Sequence, residues 1–221
     1  MLDPSALPLL QLWNWKAEPP IVPSQGEIDV ALAKVGWSKV RRSPGQIFLP
    51  VAGMGLDLGG MGKEFAVDRV AHLLTSGGAA SVLVDFGADV RVMGLPTDGR
   101  PGWHIGLEDP RKPGGCWCGL GLRDGGVATS GDYRRRFEVN GRLYGHVLDV
   151  RTGYPVDNGC RAVSVVAPSC TLAGMLSTAL LVLGPEEGMR LLETQFGAAG
   201  AIVTNQTIIP SRRFYEHVVS Q

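Results

Sequence analysis

The segment from Gly145 to Pro155 carries the side chains best suited to acid–base or phosphate chemistry. His146, Asp149 and Arg151 alternate there within six residues, just ahead of a Thr-Gly-x-Pro turn. Imidazole exchanges protons near neutral pH, and a guanidinium fork pairs well with phosphate oxygens. A lone histidine in a strand is usually structural. The shared segment therefore makes these residues candidates for acid–base catalysis or for phosphate contact.

A second candidate is the glycine-containing stretch that runs from Asp57 to Glu64, which we interpret as a strand-to-helix turn. Gly59 and Gly60 allow a tight backbone, and Lys63 adds a positive charge at the start of a helix. Free N–H groups at a helix start attract anions. The spacing of a P-loop is absent. A phosphate contact and an ordinary glycine turn with a surface lysine both remain open.

Two further polar segments follow predicted strands. In the first, Gly87 lies between Asp85 and Asp89, and either a functional aspartate or a carboxylate that caps its own turn fits the pattern. In the second, Thr129-Ser130-Gly131 precedes an arginine run at 134–136. Successive arginines are more typical of a solvated face than of a phosphate clamp, so the two hydroxyl groups are the stronger candidates.

Composition excludes several classes of protein. The 221 residues hold 21 Lys and Arg against 21 Asp and Glu, and 44% are hydrophobic. Disordered chains combine low hydrophobicity with high net charge, and general nucleic-acid binders carry a basic surplus. The 31 glycines show no three-residue period, which excludes collagen. We expect a globular protein without a nucleic-acid partner.

The sequence contains no clear metal, disulfide, targeting or membrane signal. Cys116 and Cys118 form a CxC pair without a nearby histidine, so buried or reduced thiols are expected at all four cysteines. The first 20 residues lack the basic start and apolar centre of a signal peptide. The uncharged stretch between Arg161 and Glu186 contains Pro168 and several hydroxyl residues, which favours a strand and a core helix over a membrane span. The compartment stays open, with the cytoplasm as the default.

The elements that position these segments indicate an α+β fold, with mixed, mainly antiparallel sheets and flanking helices. We expect an N-terminal arm with a short helix over residues 1–45 and a core over 46–221. Ser24 and Glu27 form a capping box at the start of the short helix, and Asn140-Gly141 predicts a hairpin turn. Further elements are predicted at 63–75 (helix), 81–86 (strand), 90–94 (strand), 162–167 (strand), from 171 (helix) and from 185 (helix).

Four segments in this order resemble the FAD:protein FMN transferase family, also called ApbE. They read DLGGMGKEFAVDRV over 57–70, DFGADVRVMG over 85–94, VATSGDYRRRFEVNGRLYGHVLDVRTGYPVDNG over 127–159 and AGMLSTALLVLGPEEG over 173–188. Any one glycine turn would be weak, but TSGDYRR followed by H-x-x-D-x-R-T-G-x-P is specific. The similarity extends from about residue 3 to the C-terminus.

The resemblance implies a single compact ApbE-like domain, related to the T-fold, that splits FAD and transfers FMN to a Thr or Ser hydroxyl, releasing AMP. It implies magnesium as cofactor and, as partner, an acceptor flavoprotein subunit of a membrane redox complex; family members are often periplasmic. By analogy, the Gly62 carbonyl and the Thr178 hydroxyl are metal ligands, and His146, Asp149 and Arg151 are catalytic. The implied cofactor-binding residues are Gly59, Gly60, Lys63, Gly87, Thr129, Ser130 and Gly131.

The sequence also departs from the family pattern. Gly174 stands where a metal-binding aspartate is expected, while Gly62 and Glu64 replace an alanine and a glycine around the lysine. A weakened magnesium site is therefore expected unless Asp89 or Asp149 compensates. The family's N-terminal region is also missing. A catalytically impaired flavin-binding or partner-binding homologue and a fragment of a longer transferase remain alternatives, and a purely structural protein is the least favoured.

Overall fold

A computed structural model describes residues 2–112, 114–132 and 135–219. The chain divides into two compact units. The first comprises Met1–Leu58 and Asp132–Asp157, and the second comprises Gly59–Gly131 and Asn158–Gln221. The boundary expected near residue 45 stays a prediction, and each unit is described here by its own bounds.

The α-helices lie in three separate stretches of the chain, over residues 7–32, 62–76 and 170–193. The α-helices are α1 (Leu7–Trp13), α2 (Gln25–Leu32), α3 (Gly62–Ser76), α4 (Cys170–Leu183) and α5 (Pro185–Glu193). Short 3-10 turns occur at Pro4–Ala6, Trp37–Lys39 and Phe214–His217. Among the described residues, we find no helix with the length and apolar character needed to cross a bilayer.

The strands form one larger sheet and several two-stranded ribbons. In chain order they are β1 (Arg41–Ser43), β2 (Gln46–Phe48), β3 (Val82–Phe86), β4 (Asp89–Met93), β5 (Trp103–Glu108), β6 (Cys116–Leu122), β7 (Asp124–Gly131), β8 (Arg136–Val139), β9 (Arg142–Gly145), β10 (Leu148–Asp149), β11 (Tyr154–Pro155), β12 (Cys160–Ala167), β13 (Ala199–Thr204) and β14 (Ile208–Pro210). The pairings are antiparallel, as expected from the sequence.

The first unit is built around an aromatic core. Trp13 is buried and its ring lies 5.5 Å from that of Tyr144, 6.4 Å from that of Phe137 and 5.7 Å from that of Tyr154. Its indole N–H donates to the Gly153 carbonyl at 2.8 Å. Buried aromatic side chains remove large apolar areas from water, so this cluster holds α1 and α2 against the short ribbons of the same unit.

The second unit is a six-stranded antiparallel sheet in the order β14-β13-β12-β7-β4-β3. Side chains alternate between its two faces. On one face, Val90, Val92 and Val127 pack with the β5–β6 ribbon and Phe214. On the other face, α4 packs on β7 and β12, and α3 packs on β3, β4 and α4. This helical face carries the contact between Ser130 of β7 and Thr178 of α4.

Several local predictions are confirmed. Ser24 and Glu27 form the reciprocal capping box, the Asn140-Gly141 turn joins β8 to β9 with positive φ at both residues, and Pro185 begins α5. Cys118, Cys160 and Cys170 are buried free thiols, whereas Cys116 is exposed. Helix α1 and strand β6 were not predicted. Residues 49–61, directly before α3, contain no strand, so the strand-to-helix interpretation of residues 57–64 is wrong in its first half.

Candidate active site

Lys63, at the start of α3, is paired with one of the two aspartates of the 85–89 segment. The Lys63 ammonium forms an ion pair with Asp89, which is buried at the beginning of β4. The Asp85 carboxylate instead accepts from the N–H of Ala88 at 2.8 Å and so caps its own turn. Of the two alternatives left open for this segment, the turn cap therefore applies to Asp85, and the structure gives Asp89 a charged partner.

Three hydroxyl groups meet where β7 packs on α4. The Ser130 hydroxyl lies 2.8 Å from that of Ser177 and 2.9 Å from that of Thr178. Ser177 in turn donates to the Gly174 carbonyl at 3.0 Å. Because Thr178 is a predicted metal ligand, Ser130 is placed to hold its hydroxyl in one orientation.

Thr129 and Ser130 lie on opposite faces of the sheet. Thr129 pairs with Ser164 across β7 and β12, and their hydroxyl oxygens are 2.8 Å apart. Adjacent residues of a strand alternate in direction, so Thr129 points away from the face that carries Ser130. Their side chains are thus not brought together, although both were predicted to bind the cofactor.

Glu64 is a buried carboxylate in the second unit. The residue is 6% exposed, and its Oε2 atom has no hydrogen-bond partner among the described residues. Burial, followed by the neighbouring Asp89 carboxylate, raises the pKa of Glu64 above its usual value. An unpaired carboxylate is costly to bury, so this residue requires an explanation that packing alone does not supply.

The Glu64 side chain lies directly against Gly174 of α4. A Cβ atom added at position 174 would lie 2.5 Å from Cγ of Glu64 and 2.8 Å from its Cδ. Real Cβ atoms essentially never approach other heavy atoms this closely. With Glu64 in this position, any side chain at position 174 would force the glutamate side chain to move.

Asp68 fixes the start of α4 against α3. Its carboxylate accepts from the N–H of Cys170 at 2.9 Å, from the N–H of Thr171 at 2.8 Å and from the Thr171 hydroxyl at 2.5 Å. Arg91 lies 3.6 Å from the same carboxylate. The first N–H groups of a helix have no partners within the helix, so Asp68 both caps α4 and sets its position relative to Glu64.

In the first unit, His146 is held by the backbone of Arg135. The Arg135 carbonyl oxygen lies 3.2 Å from Nδ1 and 3.1 Å from the backbone N of His146. Because a carbonyl can only accept, neutral His146 carries its proton on Nδ1 and leaves Nε2 as an acceptor. Burial lowers the pKa of His146, which keeps the imidazole neutral and able to take up a proton.

Asp149 and Arg151 form a two-pronged ion pair in the same unit. The guanidinium donates from Nε and NH2 to the carboxylate at 2.8–3.0 Å, and the Arg151 N–H donates to it at 2.9 Å. Burial opposes the charged carboxylate, but these hydrogen bonds outweigh it and lower the pKa of Asp149. Arg151 is about half exposed, so its guanidinium is oriented and also accessible to an anion.

The predicted glycines occupy turns and element ends. Gly59 and Gly60 form the turn before α3, Gly62 is its first residue, Gly87 lies in the β3–β4 turn, and Gly131 ends β7. They belong to the second unit with Lys63, Ser130 and Thr178, whereas His146, Asp149 and Arg151 belong to the first. Their assignment to catalysis, cofactor binding and metal binding stays a prediction.

Sequence reasoning missed the partners that orient these groups. Ser177 contacts Ser130 from 47 residues away, and Asp68 caps α4, the helix that carries Thr178. Glu64 was noted only as a departure from the family pattern. Period-two alternation along β7 could have separated Thr129 from Ser130. Across the described ranges, there is no group of three or more His, Cys, Asp and Glu side chains arranged to hold a metal ion.

Comparison with known proteins relates the whole chain to one family. Residues 1–203 match the ApbE family. The FAD:protein FMN transferase of Vibrio cholerae is 34% identical over 204 residues, which cover 87% of this chain and 58% of that protein. The FAD:protein FMN transferase of Treponema pallidum is 33% identical over 229 residues, covering 96% of this chain and 61% of that protein. The chain thus spans about three fifths of the length of these relatives.

Solved structures show the same fold. The ApbE protein of Thermotoga maritima superimposes with a TM-score of 0.90 at 34% identity, covering 99% of this chain and 72% of that one. The flavinyl transferase ApbE of Pseudomonas stutzeri, in its apo form, gives a TM-score of 0.84 at 33% identity, covering 100% of this chain and 70% of that one. The α+β fold and the family expected from the motifs are confirmed: this chain belongs to the ApbE family.

Proposed function

We propose that this chain transfers FMN from FAD to a threonine or serine hydroxyl of an acceptor flavoprotein and releases AMP. The observation that supports this most is that relatives 33–34% identical to this chain are named FAD:protein FMN transferases. In the step, the acceptor oxygen bonds to the phosphorus of the FMN half. The bond from that phosphorus to the bridging oxygen breaks, and AMP leaves with that oxygen.

Several side chains of this protein suit the two requirements of this step, removal of a proton and neutralisation of phosphate charge. With its proton on Nδ1, neutral His146 offers Nε2 as an acceptor for the proton of the acceptor hydroxyl, a role that needs a base with a pKa near the working pH. Arg151, held in place by Asp149, can pair with phosphate oxygens. Lys63, partly exposed beside Asp89, adds a second cation. Positioning and charge neutralisation dominate phosphoryl transfer, and these residues serve both.

Magnesium suits the oxygen atoms at the start of α3 and on the facing side of α4. The Thr178 hydroxyl and the Gly62 carbonyl would hold it, and the partner-free buried oxygen of Glu64 is a donor that a cation would satisfy. When bound, the ion would neutralise charge on the pyrophosphate. Ser130 and Ser177 would keep the Thr178 hydroxyl oriented toward it.

An acceptor subunit of a membrane redox complex is the proposed partner. The FMN-accepting residue would be a threonine or serine exposed on that protein. An impaired homologue that binds flavin or a partner without transfer is the second candidate, and it is motivated by the glycine at position 174, where the family pattern has a metal-binding aspartate.

The test is incubation of the purified chain with FAD, Mg²⁺ and an acceptor flavoprotein domain. We expect an acceptor mass increased by one FMN, with equal release of AMP, and neither product when Mg²⁺ is replaced by EDTA. Flavin fluorescence measures FAD binding separately. Binding of FAD without adduct or AMP would support the impaired homologue, and absence of both would refute both candidates.

The two hydroxyl residues of β7 provide a matched pair of variants for this assay. Ser130→Ala removes the partner of the Thr178 hydroxyl and should lower kcat/KM for transfer about tenfold, as for other changes around metal ligands. Thr129→Ala acts on the opposite face and should leave kcat/KM near that of the unchanged chain. Equal losses in both variants would contradict the role proposed for Ser130.

A further inference from the structure

We infer that Glu64 is a ligand for the divalent cation and that it reaches the cation across Gly174 of the neighbouring helix. The inference rests on the proposed function, because it names the carboxylate of the same site. It concerns residues of the second unit only. Its two observations are a buried carboxylate whose Oε2 atom has no hydrogen-bond partner among the described residues, and a glycine whose missing side chain makes room for that carboxylate.

The first observation concerns charge. Glu64 is more than nine-tenths buried, and no described donor reaches its Oε2 atom. The adjacent ammonium of Lys63 is paired with Asp89. A buried carboxylate is stable only when it is paired, protonated or bound to a metal. A cation bound at Oε2 would satisfy it, and the nearby Asp89 carboxylate adds to the negative potential.

The second observation concerns space. The Cγ, Cδ and Oε1 atoms of Glu64 lie 2.5, 2.8 and 3.0 Å from the place where a Cβ at position 174 would be. Any side chain at position 174 would compete with the glutamate for one volume. Glu64 and Gly174, the two departures from the family pattern, therefore form a single exchange. The metal-binding carboxylate that the family pattern places on α4 is supplied here by α3.

The remaining donors suit the same ion. Thr178 follows Gly174 by one helical turn, so both face the same side of α4, and Gly62 precedes Glu64 at the start of α3. A carboxylate, a hydroxyl and a carbonyl oxygen are all ligands that magnesium accepts. The weakened site expected from position 174 alone is replaced by a site that retains one carboxylate.

The competing explanation is a protonated Glu64 with a structural role. A neutral acid could share its proton with Asp89 and need no cation. The two explanations differ in their response to metal, since a structural acid would give no coupling between Glu64 and added Mg²⁺. The experiment therefore measures metal binding directly rather than FMN transfer.

The measurement is Mg²⁺ titration of the purified full chain by calorimetry, alone and with saturating FAD, together with the shift in Tm on adding Mg²⁺. We expect Glu64→Gln to weaken Mg²⁺ binding by about tenfold or more and to abolish the Mg²⁺-dependent rise in Tm. Glu186→Gln, which changes an exposed glutamate of α5, is the matched control and should alter neither quantity.

The decisive variant is the double exchange of Glu64→Gly with Gly174→Asp. It returns the carboxylate to α4 and removes the steric overlap, so it should recover most of the Mg²⁺ affinity lost in Glu64→Gln. Gly174→Asp alone should lower the Tm, because its side chain meets Glu64. The exchange also keeps the test valid if Glu64→Gln fails to fold.

The outcomes distinguish failure of the role inferred for Glu64 from failure of the proposed function. Unchanged Mg²⁺ affinity in folded Glu64→Gln, or no Mg²⁺ binding by the unchanged chain with or without FAD, would overturn the role of Glu64. Absence of FAD binding and of FMN transfer would overturn the proposed function. In that case the titration without FAD would still decide whether Glu64 binds the cation.

Discussion

The two units hold their candidate groups in different ways. In the first, Asp149 is paired with Arg151 two residues away, and His146 with the Arg135 carbonyl eleven residues away. In the second, Ser130 meets Thr178 across 48 residues. The catalytic candidates of the first unit are thus arranged locally, and those of the second by elements that are distant in sequence.

This difference predicts how each region tolerates change. A local pair such as Asp149 and Arg151 can be kept or lost as one short motif. A residue that meets a distant helix cannot change alone, because the facing position must accommodate it. Glu64 and Gly174 illustrate this, since the glutamate occupies the volume that any side chain at position 174 would need.

Trp13 makes a long-range contact in a unit whose candidate site residues are held by local contacts. Its replacement should cause the largest loss of stability. Its indole N–H bonds to Gly153, 140 residues away, just after Arg151. Trp13→Ala removes a fully buried ring, so we expect the free energy of unfolding to fall by about 3–5 kcal/mol. Urea denaturation followed by circular dichroism would measure it.

Phe196→Ala is the control for that measurement. Phe196 is 97% exposed, so truncating its ring removes little buried area and should change the free energy of unfolding by less than about 0.5 kcal/mol. Similar losses in the two variants would show that the aromatic cluster does not stabilise the first unit as its burial indicates.

In the second unit, caps of α4 provide a comparison of distant and local contacts. Asp68→Ala removes three hydrogen bonds to the start of α4 and one of the two carboxylates beside Arg91, so we expect the free energy of unfolding to fall by about 3 kcal/mol. Ser169→Ala removes one local cap bond to the Leu172 N–H and should cost about 1 kcal/mol. Urea denaturation of both variants tests the ranking. A larger loss in Ser169→Ala would contradict the importance of the distant contact.

The same distinction explains what could be predicted from the sequence. The capping box at Ser24, the hairpin at Asn140-Gly141 and the start of α5 at Pro185 depend on residues within a few positions, and all are confirmed. Helix α1 was missed because prolines near its start resembled an irregular arm, although proline is favoured in the first turn of a helix. Strand β6 was missed because its alternating glycines weaken the usual hydrophobic pattern.

The contacts of the candidate site were beyond such local rules. The hydroxyl cluster of Ser130 depends on which residues of β7 face α4, and the meeting of Glu64 with Gly174 depends on how α3 packs against α4. Spacing in one sequence contains no information on that packing. The family pattern marks both positions as unusual, but only the structure reveals that the Glu64 side chain lies against Gly174.

The smallest expected effect concerns His146 and Arg135 in the first unit. Burial lowers the pKa of His146 below its ordinary value of 6.5, and the Arg135 guanidinium lowers it further, against the hydrogen bond to the Arg135 carbonyl. More than half of the molecules should therefore carry a neutral His146 at pH 6.5, and His146 becomes mostly protonated only at lower pH. Proton NMR titration, with the signal assigned by its loss in His146→Gln, measures this pKa.

Arg135→Gln separates the side-chain charge from the backbone hydrogen bond. It keeps the carbonyl that fixes Nδ1 but removes the guanidinium, so the pKa of His146 should rise toward 6.5, because a nearby positive charge disfavours the imidazolium. Arg136→Gln removes the charge of the next residue and is the control, since that charge makes no contribution to the shift. If FMN transfer uses His146 as its base, the acidic limb of kcat/KM should move upward with the same variant and not with the control. A His146 pKa at or above 6.5 in the unchanged chain would show that the imidazole is not held neutral by its surroundings, and the local arrangement would then lose its suitability for taking up the proton.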